Sequence, residues 1–373
     1  MPTVRCGLRR RESTPAILST IPRLARNLST NLRPYAQPHN QLAMRRFDPP
    51  KLTVAVPVLN EERYIADCLG SLMAQEGVKP FEIIVADGGS TDRTREIVAA
   101  LSAQHPNIRL IANPRRLQSA AINLAATEVA KGTNILVRAD AHALYPRDFL
   151  RKCLDALLAS GAQSVVVPMR TVGARGFQRA IAAAQNSRLG NGGSSHRVAG
   201  MSGFVDHGHH AMFDLTFFRQ IGGYNETFSH NEDAEFDIRL HRFGGRVWLC
   251  TEAPVAYFPR SNLRGLARQY YRHGAGRART LLTHNIRPRL RQMLPVAALA
   301  GVVAGALLWP LSPIFALIPL LYVAICLIWA ACAVVRARDP GLIGMAAAAI
   351  TMHLAWAVGF LKSVMQHQAS SRP

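Results

Sequence analysis

The last third of the chain carries the hardest constraint on what it can fold into. Three apolar segments follow one another there, about Leu294–Trp309, Ile314–Val335 and Leu342–Leu361. Each approaches the ~20 residues that span a hydrocarbon core. In that medium a single chain segment can satisfy its backbone only as a helix. Residues 286–365 are therefore expected to form a membrane segment of two to three transmembrane helices. The first stretch is short and contains Pro295, which leaves a re-entrant or interfacial course open for it.

Charge orients this segment. Arg260, Arg264, Arg268, Arg272, Arg277, Arg279, Arg287, Arg289 and Arg291 lead up to it with no acidic residue among them, and Arg336 and Arg338 follow its second stretch. Basic residues flanking apolar spans stay on the cytoplasmic side. The expected location is thus the inner membrane, multi-pass, with the preceding domain facing the cytoplasm. The belt also explains much of the net charge of +21, and no nucleic-acid-binding motif accompanies it, which argues against nucleic acid as a partner. Six scattered cysteines without CxxC or Cys/His spacing agree with a reducing compartment.

Residues 1–50 hold nine arginines, several prolines and little apolar periodicity, and read as a disordered basic tail. Met44, close to the first strand, is an alternative start. From 51 to 285 the pattern changes. Leu52–Val58, Phe81–Ala86, Ile108–Ala112, Asn134–Arg138 and Ser164–Pro168 read as short apolar strands. Amphipathic stretches fall between them, as with Ile65, Leu69 and Leu72. Strands alternating with helices imply a doubly wound, mostly parallel α/β sheet. Residues 171–230 are rich in Gly and Ser and are expected to hold loops rather than strong elements. Asn231–Phe243 and Leu263–Leu282 read as helices.

Acidic residues stand where such sheets bind ligands, at the carboxyl ends of strands. Asp87 ends the second strand in Asp-Gly-Gly-Ser-Thr-Asp; it is either a ligand acceptor or part of a turn that Ser90, Thr91 and Asp92 can cap without it. No GxGxxG or GxxxxGK[ST] occurs, so neither a dinucleotide fingerprint nor a P-loop is expected. Asp140 ends the fourth strand, with His142 two residues on. Side chains at i and i+2 of an extended segment point the same way, so both can reach one cation. The alternative for His142 is a neutral hydrogen-bonding role. Asp233 opens a helix on the face of Phe236, Asp237 and Leu240, where the dipole favours its ionised form; the alternative is an N-cap.

Together with Val56-Pro57-Val58-Leu59-Asn60-Glu61-Glu62, these motifs resemble the family 2 glycosyltransferases, inverting enzymes of the GT-A fold, over about residues 52–285. Within that family, Val137-Arg-Ala-Asp-Ala-His-Ala-Leu-Tyr-Pro146 and Asn113-Pro-Arg-Arg-Leu-Gln-Ser-Ala-Ala121 look most like the succinoglycan-type glucosyltransferases. The resemblance implies a nucleotide-diphosphate sugar donor, UDP-glucose, and a polyprenyl-diphosphate-linked saccharide acceptor in exopolysaccharide assembly, alongside other assembly proteins. It implies that Pro57 and Glu61 border the nucleoside and that Asp87 accepts from uracil. Asp140 and His142 occupy the place of the family's Asp-x-Asp, holding a divalent metal (Mn²⁺ or Mg²⁺) with the donor diphosphate, and Asp233 is the base. Histidine in place of the second carboxylate favours manganese. The three carboxylates Asp87, Asp140 and Asp233 are expected to converge at one rim of the sheet.

Other positions stay open. Glu61 also fits an ordinary helix-start residue. Gln269-Tyr-Tyr-Arg-His273 partly matches the Gln-x-x-Arg-Trp of processive synthases, without the tryptophan; Arg272 either neutralises diphosphate or belongs to a solvated basic helix. Asp206-His-Gly-His-His210 is read as acceptor contacts or solvated loop histidines rather than zinc ligands. The functional alternatives are a processive polysaccharide synthase and a non-catalytic membrane scaffold with a degenerate nucleotide-sugar site.

Overall fold

A computed structural model describes residues 49–370 apart from 79–80, 174–175 and 193–200. The basic stretch expected to form a tail lies outside the described residues up to position 48. The first half runs β1 (Leu52–Val58), α1 (Ile65–Met73), β2 (Phe81–Asp87), α2 (Thr94–Gln104), β3 (Ile108–Ala112), α3 (Gln118–Glu128) and β4 (Ile135–Arg138). Next come β5 (Ala143–Leu144), α4 (Phe149–Ser160), β6 (Ser164–Val167), β7 (Met169–Thr171), α5 (Phe177–Asn186) and α6 (Arg188–Asn191). They are followed by β8 (Gly203–Val205), β9 (His209–Asp214), α7 (Leu215–Gln220), α8 (Glu232–Arg242), β10 (Val247–Leu249), β11 (Val255–Tyr257) and α9 (Leu263–His284). Three long helices close the chain: α10 (Leu290–Leu308), α11 (Leu317–Ala337) and α12 (Met345–Ser370).

The main sheet has the order β3-β2-β1-β4-β9-β6-β10-β8. β3, β2, β1 and β4 are parallel neighbours, and β6 pairs parallel with β10. The strands of β1 and β2 are covered on both faces, which is why they read as unbroken apolar runs. Val54, Val56, Ile83 and Val85 pack into one layer with Ile65, Leu69 and Phe149, while Ala55 and Ile84 meet Ile122, Phe218 and Phe236 on the other.

The region expected to be mostly loops supplies a central strand instead. β9 runs antiparallel between β4 and β6. Its first two residues are histidines, whose polar side chains mask the apolar Ala211-Met-Phe213 that follows. α5 and α7 also fall inside 171–230.

Pro57 sits in an interior strand without cost to the ladder. Pairing of β1 with β4 ends at Ala55–Arg138, whereas pairing with β2 continues to Val58–Asp87. Ala139 donates its N–H to Ala55 O, so the N–H absent from Pro57 would point to the side β4 has already left. That divergence opens the sheet.

Among the described residues, three helices are long and apolar enough to cross a membrane: Leu290–Leu308, the 25 residues Pro313–Ala337 and the 30 residues Pro340–Ala369. Pro295 lies inside α10, which remains one helix. α12 packs along α9 at two glycines. A Cβ on Gly274 would stand 2.0 Å from Trp356 O, and one on Gly359 would stand 2.0 Å from Tyr271 O. Only a missing side chain permits that approach, and it fixes the basic helix to the apolar one.

Candidate active site

Two hollows open at the carboxyl ends of the strands. The smaller, about 530 Å³, lies at the ends of β2 and β3 and is lined by Asp87, Arg95, Asn113 and Arg116 among others. Asp87 is turned onto its own loop, where its carboxylate accepts the N–H groups of Gly89 and Ser90, both at 3.1 Å, with Arg95 at 3.7 Å. It therefore caps the turn that Ser90, Thr91 and Asp92 were expected to cap. Asp92 alone among those three serves α2, accepting from Thr94 N–H at 3.0 Å. Ser90 Oγ accepts from Asn60 N–H at 2.9 Å, and Asn60 Oδ1 accepts from Thr91 N–H at 2.8 Å. Asn60 takes a left-handed φ of 58° to do so, clasping the loops after β1 and β2 together.

The larger cleft, about 1030 Å³, is lined by Asp140, His142, Asp233 and Arg272. All three carboxylates lie at the same rim of the sheet, Asp140 and Asp233 in this cleft and Asp87 in the smaller hollow beside it. β1 lies between β2 and β4, and two strand spacings separate their ends by ~10 Å.

What joins Asp140 to Asp233 is Arg138, the last residue of β4, buried at 5% exposure. Its guanidinium forms ion pairs with Asp233 and with Glu232 at 3.5 Å, and its Nε lies 3.6 Å from Asp140 Oδ1. Nε itself has no hydrogen-bond partner. Nη1 also donates to Tyr224 Oη at 3.1 Å. Burial opposes the charge on Arg138, but the ring of carboxylates holds the guanidinium firmly ionised.

The carboxylates respond unequally. Burial would raise Asp233, but Arg138 and then His210 hold it well below the usual carboxylate range. Glu232 is pushed up to about 7, by burial first and by Asp233 second, with Arg138 only partly offsetting both. Asp140 is likewise lowered against its burial by Arg138, His209 and His142. One arginine thus keeps two carboxylates ionised in a place where burial disfavours charge.

Asp140 and His142 do not lie on an extended strand end. The chain turns at Ala141-His142, so the parallel projection expected of them is replaced by two directions. Asp140 Oδ1 accepts from Gln118 Nε2 at 2.9 Å, and its backbone N–H donates to Tyr145 Oη at 2.6 Å. His142 Nδ1 lies 3.0 Å from Glu61 Oε1 and its ring stands edge-on to Tyr257. Glu61 was expected beside the nucleoside or at a helix start; it holds His142, and α1 begins only at Ile65.

Each histidine of 206–210 has a carboxylate beside it, and His207 alone is substantially exposed. His210 is fully buried, sharing hydrogens with Tyr224 Oη at 2.6 Å and Asp237 Oδ1 at 2.8 Å, and it lies 3.7 Å from Asp233. His207 Nδ1 takes the other oxygen of Asp237 at 2.8 Å. His209 lines the cleft 3.6 Å from Asp140, and burial lowers it to about 4, leaving it neutral. Arg138 was given no role from the sequence, and His210 was read only as an acceptor contact or a solvated loop histidine. The only available signal was an arginine and two histidines in otherwise apolar strands, since buried charge must be paired.

Among the described residues, no three of His, Cys, Asp and Glu gather into a metal-ligand set. Asp140 and His142 are two donors on one cleft wall, and any ion there needs further oxygens. Glu61 at Nδ1 of His142 fixes the ring as metal-bound histidines are fixed, leaving Nε2 to face a ligand.

The sheet, with Asp140 after β4 and Asp233 in α8 sharing one cleft at its rim, is that of a GT-A fold. The chain belongs to glycosyltransferase family 2, whose family model (Glycosyl transferase family 2) matches residues 53–222. It is 42% identical to the succinoglycan biosynthesis protein ExoA of Rhizobium meliloti (strain 1021) over 313 residues, 84% of this chain and 94% of that protein. It is 25% identical, over 61% of this chain and 72% of the relative, to a dolichyl N-acetyl-alpha-D-glucosaminyl phosphate 3-beta-D-2,3-diacetamido-2,3-dideoxy-beta-D-glucuronosyltransferase of Methanococcus voltae. Among solved structures, the mannosyltransferase PcManGT of Pyrobaculum calidifontis, in complex with GDP-Man and Mn²⁺, shares the fold with a TM-score of 0.55 at 19% identity, covering 85% of this chain and 88% of that one.

Proposed function

We propose that the protein is an inverting transferase that moves a sugar, glucose, from a UDP-sugar to a polyprenyl-diphosphate-linked saccharide in exopolysaccharide assembly of the succinoglycan type. The observation that carries the reading is the single cleft in which Arg138 ties Asp140 to Asp233 and which runs on to the membrane-length helices. The likeness to a succinoglycan biosynthesis protein supports the pathway, and the dolichyl-linked substrate in the second relative's name supports a lipid-borne acceptor.

The donor nucleoside enters beside Asp87, Pro57 and Glu61. Oδ1 of Asp87, which takes only the Ser90 N–H within 3.1 Å, keeps a lone pair for the imide N–H of uracil. The diphosphate lies toward Asp140 and His142, with Arg272 facing it from α9. A divalent ion bound by these two side chains and the phosphate oxygens would neutralise charge on the departing diphosphate; the imidazole favours manganese over magnesium.

Asp233 is the base. The acceptor oxygen attacks the anomeric carbon from the face opposite the diphosphate, its proton passes to Asp233, and the bond to the diphosphate breaks with its electron pair. The product is β-linked. Arg138 keeps Asp233 ionised at any physiological pH, and by the same pairing limits its strength as a base.

The arginine belt before α10 supports a catalytic domain on the cytoplasmic side of the inner membrane. The direct test offers several labelled UDP-sugars to membranes containing the chain and extracts the lipid fraction. UDP-glucose should label a lipid-linked product. Donor hydrolysis without lipid product, or long polymer in its place, would overturn the acceptor assignment, and neither hydrolysis nor transfer would leave a scaffold.

A further inference from the structure

The larger cleft does not end at the sheet. Besides Asp233 it is lined by Arg277 on α9, Arg291 on α10, and Pro295, Tyr322 and Trp356 of the membrane-length helices. One cleft thus combines acidic, basic and apolar lining. The basic stretch is electrically unfinished. Arg277 is half-buried and forms no ion pair among the described residues, and burial together with Arg289 and Arg291 draws its guanidinium down to about 10. Among the described residues, Arg289 alone of these three arginines has a carboxylate partner, the exposed Asp206 at 2.7 Å. Like charges brought together in a partly dry cleft repel one another unless an anion joins them.

The position of that basic stretch says which anion. It shares one cleft with the carboxylates and with apolar residues of the membrane-length helices, and the glycine contacts between α9 and α12 hold those two helices at a fixed distance. A solute with a highly charged head and a hydrocarbon tail meets each zone with the matching part. We propose that this arm of the cleft seats a lipid diphosphate, with its phosphates on Arg277 and Arg291 and the first units of its chain against Pro295, Tyr322 and Trp356. This inference rests on the lipid-linked acceptor proposed above and adds where the lipid sits and what holds it. The donor's own diphosphate, which would lie by Asp140 and His142, is the competing source of the same chemistry.

The test uses the full chain in detergent and measures binding of geranylgeranyl diphosphate, inorganic diphosphate and UDP. Geranylgeranyl diphosphate should bind at least about tenfold more tightly than inorganic diphosphate, and saturating UDP should not displace it. Arg277→Gln and Arg291→Gln should each weaken it by about ten- to a hundredfold, as expected for loss of a charge-assisted contact, and leave UDP affinity unchanged. Arg291 is exposed, so its variant keeps the test valid should Arg277→Gln fold poorly. Displacement by UDP would assign the arginines to the donor. Equal binding of inorganic diphosphate would remove the apolar wall from the site, and displacement by phosphatidylglycerol would make it a general headgroup surface; each outcome overturns the proposal. Failure of the transferase reading looks different, because labelled sugar would then reach no lipid even where geranylgeranyl diphosphate binds as described.

Discussion

Replacing Arg138 by glutamine is the sharpest probe of how the cleft is held together. The guanidinium is 5% exposed and faces three carboxylates, Glu232 at 3.5 Å, Asp140 at 3.6 Å and Asp233 in direct contact. A neutral amide leaves those carboxylates to repel one another in a buried place. Breaking one buried pair by removing a partner costs about 3–5 kcal/mol. Three acids share this partner, but His209 and His210 stand close to two of them, and proton uptake offsets part of the loss. We therefore expect a destabilisation of about 3–5 kcal/mol at about pH 8. The pH dependence follows from linkage. In the native chain Asp140 and Asp233 titrate below their ordinary values, so their contribution is present above about pH 4 and is lost as pH falls further. Without Arg138, burial and mutual repulsion put the folded-state values above the unfolded ones. The folded variant then binds more protons than its unfolded form, so its stability falls as pH rises, and the deficit against the native chain shrinks toward about pH 5.5. Thermal unfolding in detergent, followed by tryptophan fluorescence, reads this directly. At about 2–4 °C per kcal/mol for a domain of this size, the variant should melt roughly 6–20 °C lower at about pH 8, and Arg138→Lys should recover part of it. A variant melting within about 2 °C of the native chain at that pH, or one penalised more in acid, would refute the charge coupling.

Asp233→Asn should lower sugar transfer by about 10²–10⁴-fold, roughly 3–5 kcal/mol of barrier, while calorimetry shows UDP binding retained; transfer within about tenfold of normal would place the base elsewhere. Chelation should abolish transfer and manganese should restore it better than magnesium. His142→Asp, which returns an all-oxygen pair, should lower the manganese-to-magnesium rate ratio of the stripped protein, and an unchanged ratio would count against His142 as a ligand. Glu232 carries a folded-state value of about 7 against an ordinary 4.5, so it costs stability as pH rises through that interval. In Glu232→Gln the melting temperature should lose that downward slope between about pH 5 and 7, and a slope equal to that of the native chain would refute the burial of an ionisable group there. Gly359→Leu, which drives a side chain toward Tyr271 O, should cost about 1–3 kcal/mol in a melting experiment by parting α12 from α9.

The parts of this protein that were legible in its sequence are those written in local pattern. Unbroken apolar runs marked β1 and β2 because both faces of a central parallel strand are covered, and helical spacing marked α1 and α8. Segments near the length of a hydrocarbon core marked α10 to α12, and strand ends placed Asp87 and Asp140 on a ligand-binding rim. β9 escaped because its two histidines look like loop residues until Asp237 and Tyr224 are seen to satisfy His210, and nothing local announces partners 27 and 14 residues away.

The tertiary structure alone decided how the rim is partitioned. One intervening strand put Asp87 in a hollow of its own, and a turn after β4 sent His142 to Glu61. Arg138 gathered Asp140 and Asp233, the latter 95 residues distant, around one charge. Periodicity records whether a side chain faces inward. Which inward-facing charges share a partner depends on distances across the folded sheet, and the energies of burial and pairing are set only there.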